Sequence, residues 1–263
     1  MKQEDVALKP GPGSDSVEEV RLHINPDVFG LYDVYSYRHA ATIMKTSFPD
    51  ELREIEEALL DFKITIQDIA MPGGNESVIP KQFSTKLRPN NWHETRIQGD
   101  LIIRVFEQSE EILQSGKLKK HKLTKKPDII LANYIDGHKI DYVKGRVALD
   151  MEWNSKDQTY DRDLYAFRTF HECGVISVAS LITRSEKLNP VFAATKLLKK
   201  DGSVELDREG NPKFCKQKYG ASTTWMGKLL YRLNAGRHGG CPVLVFGIRP
   251  DVITDWQKRN EIL

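Results

Sequence analysis

The run Val147-Ala148-Leu149-Asp150-Met151-Glu152-Trp153 constrains the fold more than any other part of the chain. It is apolar enough to be a buried strand. Its two acids fall at alternate positions, so Asp150 and Glu152 share one face while Leu149 and Met151 point to the other. Upstream, Asp141 sits beside Ile140 and ahead of a turn signal at Lys144-Gly145, so a hairpin return brings it alongside Asp150. Three acidic oxygen donors then converge at the rim of a sheet. Like charges a few ångströms apart repel and each resists leaving water, which makes a hard divalent cation such as Mg²⁺ their natural partner. The same alternation also describes the wet face of an ordinary sheet, and spacing by itself leaves both readings open.

The 263 residues suffice for one sizeable core, and a flexible tail over residues 1–16 followed by a single domain over 17–263 is the expected organisation. No apolar run is long enough to span a bilayer, and the charged start Met1-Lys2-Gln3-Glu4-Asp5 lacks a signal-peptide core, so a cytoplasmic protein is expected. Cys173, Cys215 and Cys241 are too widely spaced for a zinc-binding pair and too few for a disulfide framework. With a formal net charge of +2, nothing about nucleic acid follows from overall charge. The dense basic block is Lys117 to Lys126, which reads either as a solvated linker or as a phosphate-contacting arm.

Along the chain, Val20, Leu22 and Ile24 alternate with polar neighbours and suggest a short strand. Ser36 to Met44 is compatible with helix, and Pro49-Asp50-Glu51 opens another whose buried face carries Ile55, Ala58, Leu59 and Phe62. Leu101 to Phe106 reads as strand, Glu107 to Gln114 as a short helix or exposed insertion, and Ile129, Ile130 and Leu131 as core. After Glu152 the pattern alternates between helix and strand. Asp161 is a candidate cap for a helix carrying Leu164, Phe167 and Phe170, then come a strand at 175–182, an inserted hairpin or loop at 199–219, a helix over Met226 to Leu233 and a strand at 242–248. The expected class is α/β, with a central mixed β-sheet flanked by helices and interrupted by inserted loops.

Three further segments add to the acidic cluster: Tyr37-Arg38-His39-Ala40-Ala41-Thr42-Ile43-Met44, the run Glu51 to Leu60, and Leu87-Arg88-Pro89-Asn90-Asn91-Trp92. Together they resemble the BglII/BstYI-type restriction endonucleases, a branch of the PD-(D/E)XK nucleases, over residues 31–106 and 134–184. The spacing from Asp141 to Asp150 agrees with that family's first and second acids. The identities depart, because the BglII enzyme has Glu and Gln where this chain has Asp150 and Glu152, a pair closer to the BamHI pattern.

The resemblance implies a restriction-endonuclease-like core and Mg²⁺-dependent cleavage of double-stranded DNA at a short palindrome, GATC-centred in the nearest pattern. It also implies a homodimer and a cognate DNA methyltransferase. In that frame Asp141, Asp150 and the carbonyl of Met151 hold the metal, Glu152 orients or deprotonates water, and Glu94 is an accessory polar residue. Asn154, Ser155 and Lys156 directly follow the catalytic strand and Arg184 leaves the next one, so these four are expected to contact DNA. A repair, recombination or modification-dependent nuclease, or a non-catalytic DNA-binding protein of the same fold, are the alternatives.

Overall fold

The computed structural model describes residues 8–73, 78–220 and 222–256. Ser16 opens the first helix, α1 (Val17–His23), by accepting a hydrogen bond from the Glu19 amide. Glu18 and Glu19 lie in its first turn and Arg21 and His23 in its last, the order the helix dipole favours. This corrects the strand expected over Val20, Leu22 and Ile24. Val20 and Ile24 are both 3% exposed while Leu22 between them is 78% exposed, a helical division of faces.

From Lys9 onward the Pro/Gly-rich lead-in has partners in the fold; residues 1–7 lie outside the described residues. The Gly11 amide donates to Asn234 Oδ1 at 2.7 Å, and Ser14 bridges to Tyr37.

Next come α2 (Val28–Leu31), β1 (Tyr32–Tyr37), α3 (Ala40–Ser47), α4 (Pro49–Asp61), α5 (Ile66–Ala70) and α6 (Val78–Leu87). The helix expected over 36–44 therefore begins only at Ala40, after a turn in which Arg38 and His39 both take positive φ. In α4, Pro49 occupies the first position, and Leu52, Ile55, Ala58 and Leu59 form the buried stripe.

A run of strands follows: β2 (His93–Arg96), β3 (Gly99–Ile103), β4 (Phe106–Glu107), β5 (Glu110–Ile112), β6 (Leu118–Lys120), β7 (Thr124–Lys125), β8 (Ile129–Ile135), β9 (Lys139–Lys144) and β10 (Val147–Glu152). The last third contributes α7 (Thr159–Glu172), β11 (Val178–Arg184), α8 (Asn189–Ala194), α9 (Cys215–Lys218), α10 (Met226–Asn234) and β12 (Val243–Ile248). Between α8 and α10, the expected insertion is tied by bridges at Lys196–Phe214, Leu198–Val204 and Leu206–Pro212.

Six strands form the central sheet in the order β1-β12-β11-β10-β9-β2. Strands β10, β11 and β12 run parallel, with β1 and β9 antiparallel to their neighbours. The mixed α/β sheet expected from the sequence is thus present. β10-α7-β11 is its crossover unit, and α7 ends where Gly174 takes φ +72°, a conformation that suits glycine. Every residue of β10, β11 and β12 is buried.

Val147, Leu149 and Met151 join a large core with residues of α4 and α6. Burying each such side chain contributes roughly 1.5–3 kcal/mol. α7 packs on β10 and β11 through its own buried stripe of Tyr160, Leu164, Phe167 and Phe170.

The described residues divide into two compact units, one before Arg96 and after Lys139, the other from Arg96 to Lys139. The second unit is a chain of two-stranded pairs, β3 with β8, β4 with β7 and β5 with β6. Ile129, Ile130 and Leu131, expected in the core, are exposed here. A ribbon of two strands has no layer above or below to cover them. The segment Glu107–Gln114, left open between helix and insertion, contains exposed β-strand.

Candidate active site

The acidic rim is built where one ladder of the sheet stops. Gly145, at φ +55°, turns β9 back onto β10, and the two pair through Val147–Lys144, Ala148–Val143 and Leu149–Tyr142. Beyond that point, backbone amides bond to side chains. The Asp141 amide donates to Asp150 Oδ1 at 2.7 Å, and the Met151 amide donates to Asp141 Oδ2 at 3.4 Å. This exchange holds the two carboxylates side by side across the opening. Met151 lies between the acids of β10, and its own side chain is turned into the opposite core.

Asp150 and Glu152 are 4% and 6% exposed, so their charges have little water around them. Burial pushes the Asp150 carboxyl well above the usual range, and the neighbouring Asp141 and Glu152 charges push it further. Asp141 is also raised, first by burial and then by Glu94, against the pull of the Met151 amide and Arg88. Glu152 is raised by burial to about 7, with Ser155 and Arg162 acting in the opposite direction. Such a carboxyl is poised to exchange a proton near neutrality.

Asp163 completes this surrounding and was not among the residues singled out from the sequence. It projects from α7, and burial together with the charges of Asp150 and Glu152 raises it well above the usual carboxylate range. Arg162 lies 3.2 Å from Asp163 and 4.0 Å from Glu152. The available signal was positional. In the buried stripe Tyr160, Asp163, Leu164, Phe167, one polar residue occupies a slot that helical spacing assigns to the core. Asp161, the expected cap, instead pairs with Arg232 and Arg237.

A divalent cation fits these residues by the chemistry of their unused oxygens. Asp150 Oδ2, Glu152 Oε2, Asn154 Oδ1 and Asp163 Oδ2 are buried without a hydrogen-bond partner. Buried oxygens left unpaired are costly, and hard cations are coordinated by this donor type. The convergence is looser than three acids closing on one point, however. Asp141, Asp150 and Glu152 do not offer three ligand atoms that all lie within 4.8 Å of one another. Among the described residues that spacing is met by Asp15, Glu19 and His39, where His39 Nδ1 is already 2.7 Å from Glu19 Oε1.

The other expected site residues divide clearly. Glu94 is exposed on β2, adjacent to β9, and its charge acts on Asp141. Asn154 and Ser155 follow β10 directly, and Thr224 donates its amide to the Ser155 carbonyl. Lys156 is bridged through its backbone to Thr223 and keeps an exposed side chain.

Arg184 lies deeper than Asn154, Ser155 and Lys156. It is 1% exposed, donates to Thr223 Oγ1 and the Thr224 carbonyl, and lies against Tyr219, Phe192 and Trp153. Its partner strand explains the placement, because Thr183 is the residue in register with Glu152 and Arg184 therefore turns to the other face. Buried among these groups, the guanidinium braces the loop beside the acids and lines a pocket with Asn189, Lys216 and Trp225.

A mixed sheet with buried carboxylates gathered at the end of one central strand is the frame of a restriction-endonuclease-like protein. The family model for restriction endonuclease BglII/BglIII matches residues 32–248, and the chain belongs to that family. It is therefore a type II site-specific deoxyribonuclease, an enzyme that binds and cleaves double-stranded DNA. A search of curated proteins returns no match. The matched span contains both hairpin strands, the acids and the inserted ribbon. No helix among the described residues is long and apolar enough to cross a membrane.

Proposed function

We propose that this enzyme cleaves double-stranded DNA at a short palindromic sequence in a Mg²⁺-dependent reaction centred on Asp141, Asp150 and Glu152. The reading rests above all on the buried, unpartnered carboxylate oxygens at the end of β10. Asp141, Asp150 and the Met151 carbonyl are the groups that hold the cation. Bound there, Mg²⁺ supplies charge neutralisation for the phosphate as negative charge builds on it.

The chain's own residues do the rest. Glu152, raised to about 7, orients the attacking water and accepts its proton. Glu94 adds an acceptor on the Asp141 side. Lys156 offers a phosphate its exposed ammonium, and Asn154 and Ser155 position the backbone next to the scissile bond. Two copies related by a two-fold axis place one such centre on each strand of a palindrome. Unprotected host sites would be cut as well, so a methyltransferase of the same specificity is the expected companion.

Digesting a plasmid of known sequence with Mg²⁺, then with EDTA, and sequencing the fragment ends tests this reading. Discrete ends at one palindrome, with GATC-centred sites the first to inspect, are expected only when the metal is present. Asp141→Ala and Asp150→Ala should abolish cutting and spare DNA binding. Near-native cutting by either variant refutes the assignment, and cutting confined to junctions, flaps or methylated DNA favours a nuclease of another type.

A further inference from the structure

Arg184, the last residue of β11, turns away from the acids and lines a cavity of about 240 Å³ with Asn189, Phe192, Lys216, Tyr219 and Trp225. The cavity is smaller than the roughly 300–1,000 Å³ of pockets that take drug-sized ligands, so its occupant is a compact group.

The lining suits one that is planar and polar. The guanidinium carbon lies 5.0 Å from the Tyr219 ring centre and 5.3 Å from that of Phe192, and these two rings stack on each other at 4.4 Å. Arg184 Nη2 donates to Thr223 Oγ1 and the Thr224 carbonyl, whereas Nε is buried without a hydrogen-bond partner. An orphaned donor on a cation that is 1% exposed is costly until something accepts from it. Phe192 and Tyr219 are buried, Trp225 is half-buried, and Asn189 and Lys216 are exposed.

We infer that this cavity receives one nucleobase turned out of the bound duplex, which goes beyond the cleavage reading above and rests on the DNA binding of the family. Aromatic faces stack on any base, while a guanidinium and a carboxamide meet the donors and acceptors on its edge. Lys216 offers a cation to the phosphate that moves with the base. Location argues for DNA over a free nucleotide. Thr223 and Thr224 precede Trp225 and are tied to the strand of the acids: Thr223 bridges to Lys156, and the Thr224 hydroxyl donates to the Glu152 carbonyl. The cavity and the acids therefore share the carboxyl ends of the parallel strands β10 and β11, where sheets of this kind bind their ligands.

The test is binding of the full chain, in EDTA, to the duplex it selects from a random pool, with a mismatch moved through that duplex pair by pair. A base that must leave the stack does so at least cost when mismatched, so one position should bind about tenfold tighter or more by fluorescence anisotropy. Trp225→Ala and Asn189→Ala each alter the cavity at a residue that is not fully buried, and each should erase that gain. Circular dichroism checks that they fold, and if one does not, the other decides. The absence of any position that gains overturns the inference, as does a gain retained in the folded variants. If adenosine or cytidine monophosphate quenches the tryptophan fluorescence while no mismatch gains, the cavity is a free-nucleotide site and the inference fails. Because binding is read without metal, the inference can fail while Asp141 and Asp150 keep their part in cutting, and can hold if they do not.

Discussion

The sheet that carries the acids and the ribbon inserted before it use β-structure in opposite ways. In the sheet, every residue of β10 is buried and the charged ones are forced together by that burial. In the ribbon, β8 shows six exposed residues in succession, and Asp128 just before it pairs with Lys125 near the solvent. An apolar strand is thus not in itself a core strand. A layer on each face makes it one, and the carboxylates of the rim owe their altered chemistry to the layers of the central sheet.

The contrast can be tested by substitution, beginning with the core. Phe167→Ala empties a fully buried site between α7 and the sheet and should cost about 3–5 kcal/mol in a denaturant titration. A much smaller loss would mean that α7 does not cover the sheet through this stripe. Asp150→Asn should reduce Mg²⁺-dependent cleavage by about 10²–10³-fold or more, measured on plasmid under single-turnover conditions. The same variant should raise the melting temperature without metal at alkaline pH, where an ionised Asp150 would be a buried charge among like charges, and change it little at acid pH.

A third test uses pH. Glu152 has a folded value of about 7 against an ordinary 4.5, so its stabilising protonated form is fully present below about 4.5 and is lost as pH rises through 7. Asp150 and Asp163 act in the same direction. The metal-free melting temperature should therefore fall between pH 5 and pH 8, and Mg²⁺ or Ca²⁺ should restore more of it at pH 8 than at pH 5. A flat profile would mean that the carboxylates are solvated. Lys125→Ala, which removes an exposed ion pair of the ribbon, should change stability by no more than about 0.5–1 kcal/mol.

What could be read in the sequence followed from how local each signal was. The hairpin between Asp141 and Asp150 depends on a glycine turn and a period of two, both contained in a dozen residues, and both recur in the structure. Val20, Leu22 and Ile24 show where a local signal is ambiguous, because two residues four apart share a helix face as well as a strand face. Ser16 and Glu19 decide it through the cap.

Arg184 shows what strand parity adds, because register with β10 assigns the acid face to Thr183 and turns Arg184 to the other. Asp163 was missed because a helix stripe was read through its apolar members alone. The exposure of Ile129 to Leu131 had no local signal. An apolar run records a need for cover and is silent about where the cover comes from.

The bracing of Glu152 also bears on how the enzyme is made. Its carbonyl accepts from Thr183 and, 72 residues further along, from Thr224, whose own carbonyl is gripped by Arg184. A polypeptide leaving the ribosome holds all four carboxylates well before it holds the threonines that steady them. A fragment ending before that loop therefore carries the acids without their scaffold.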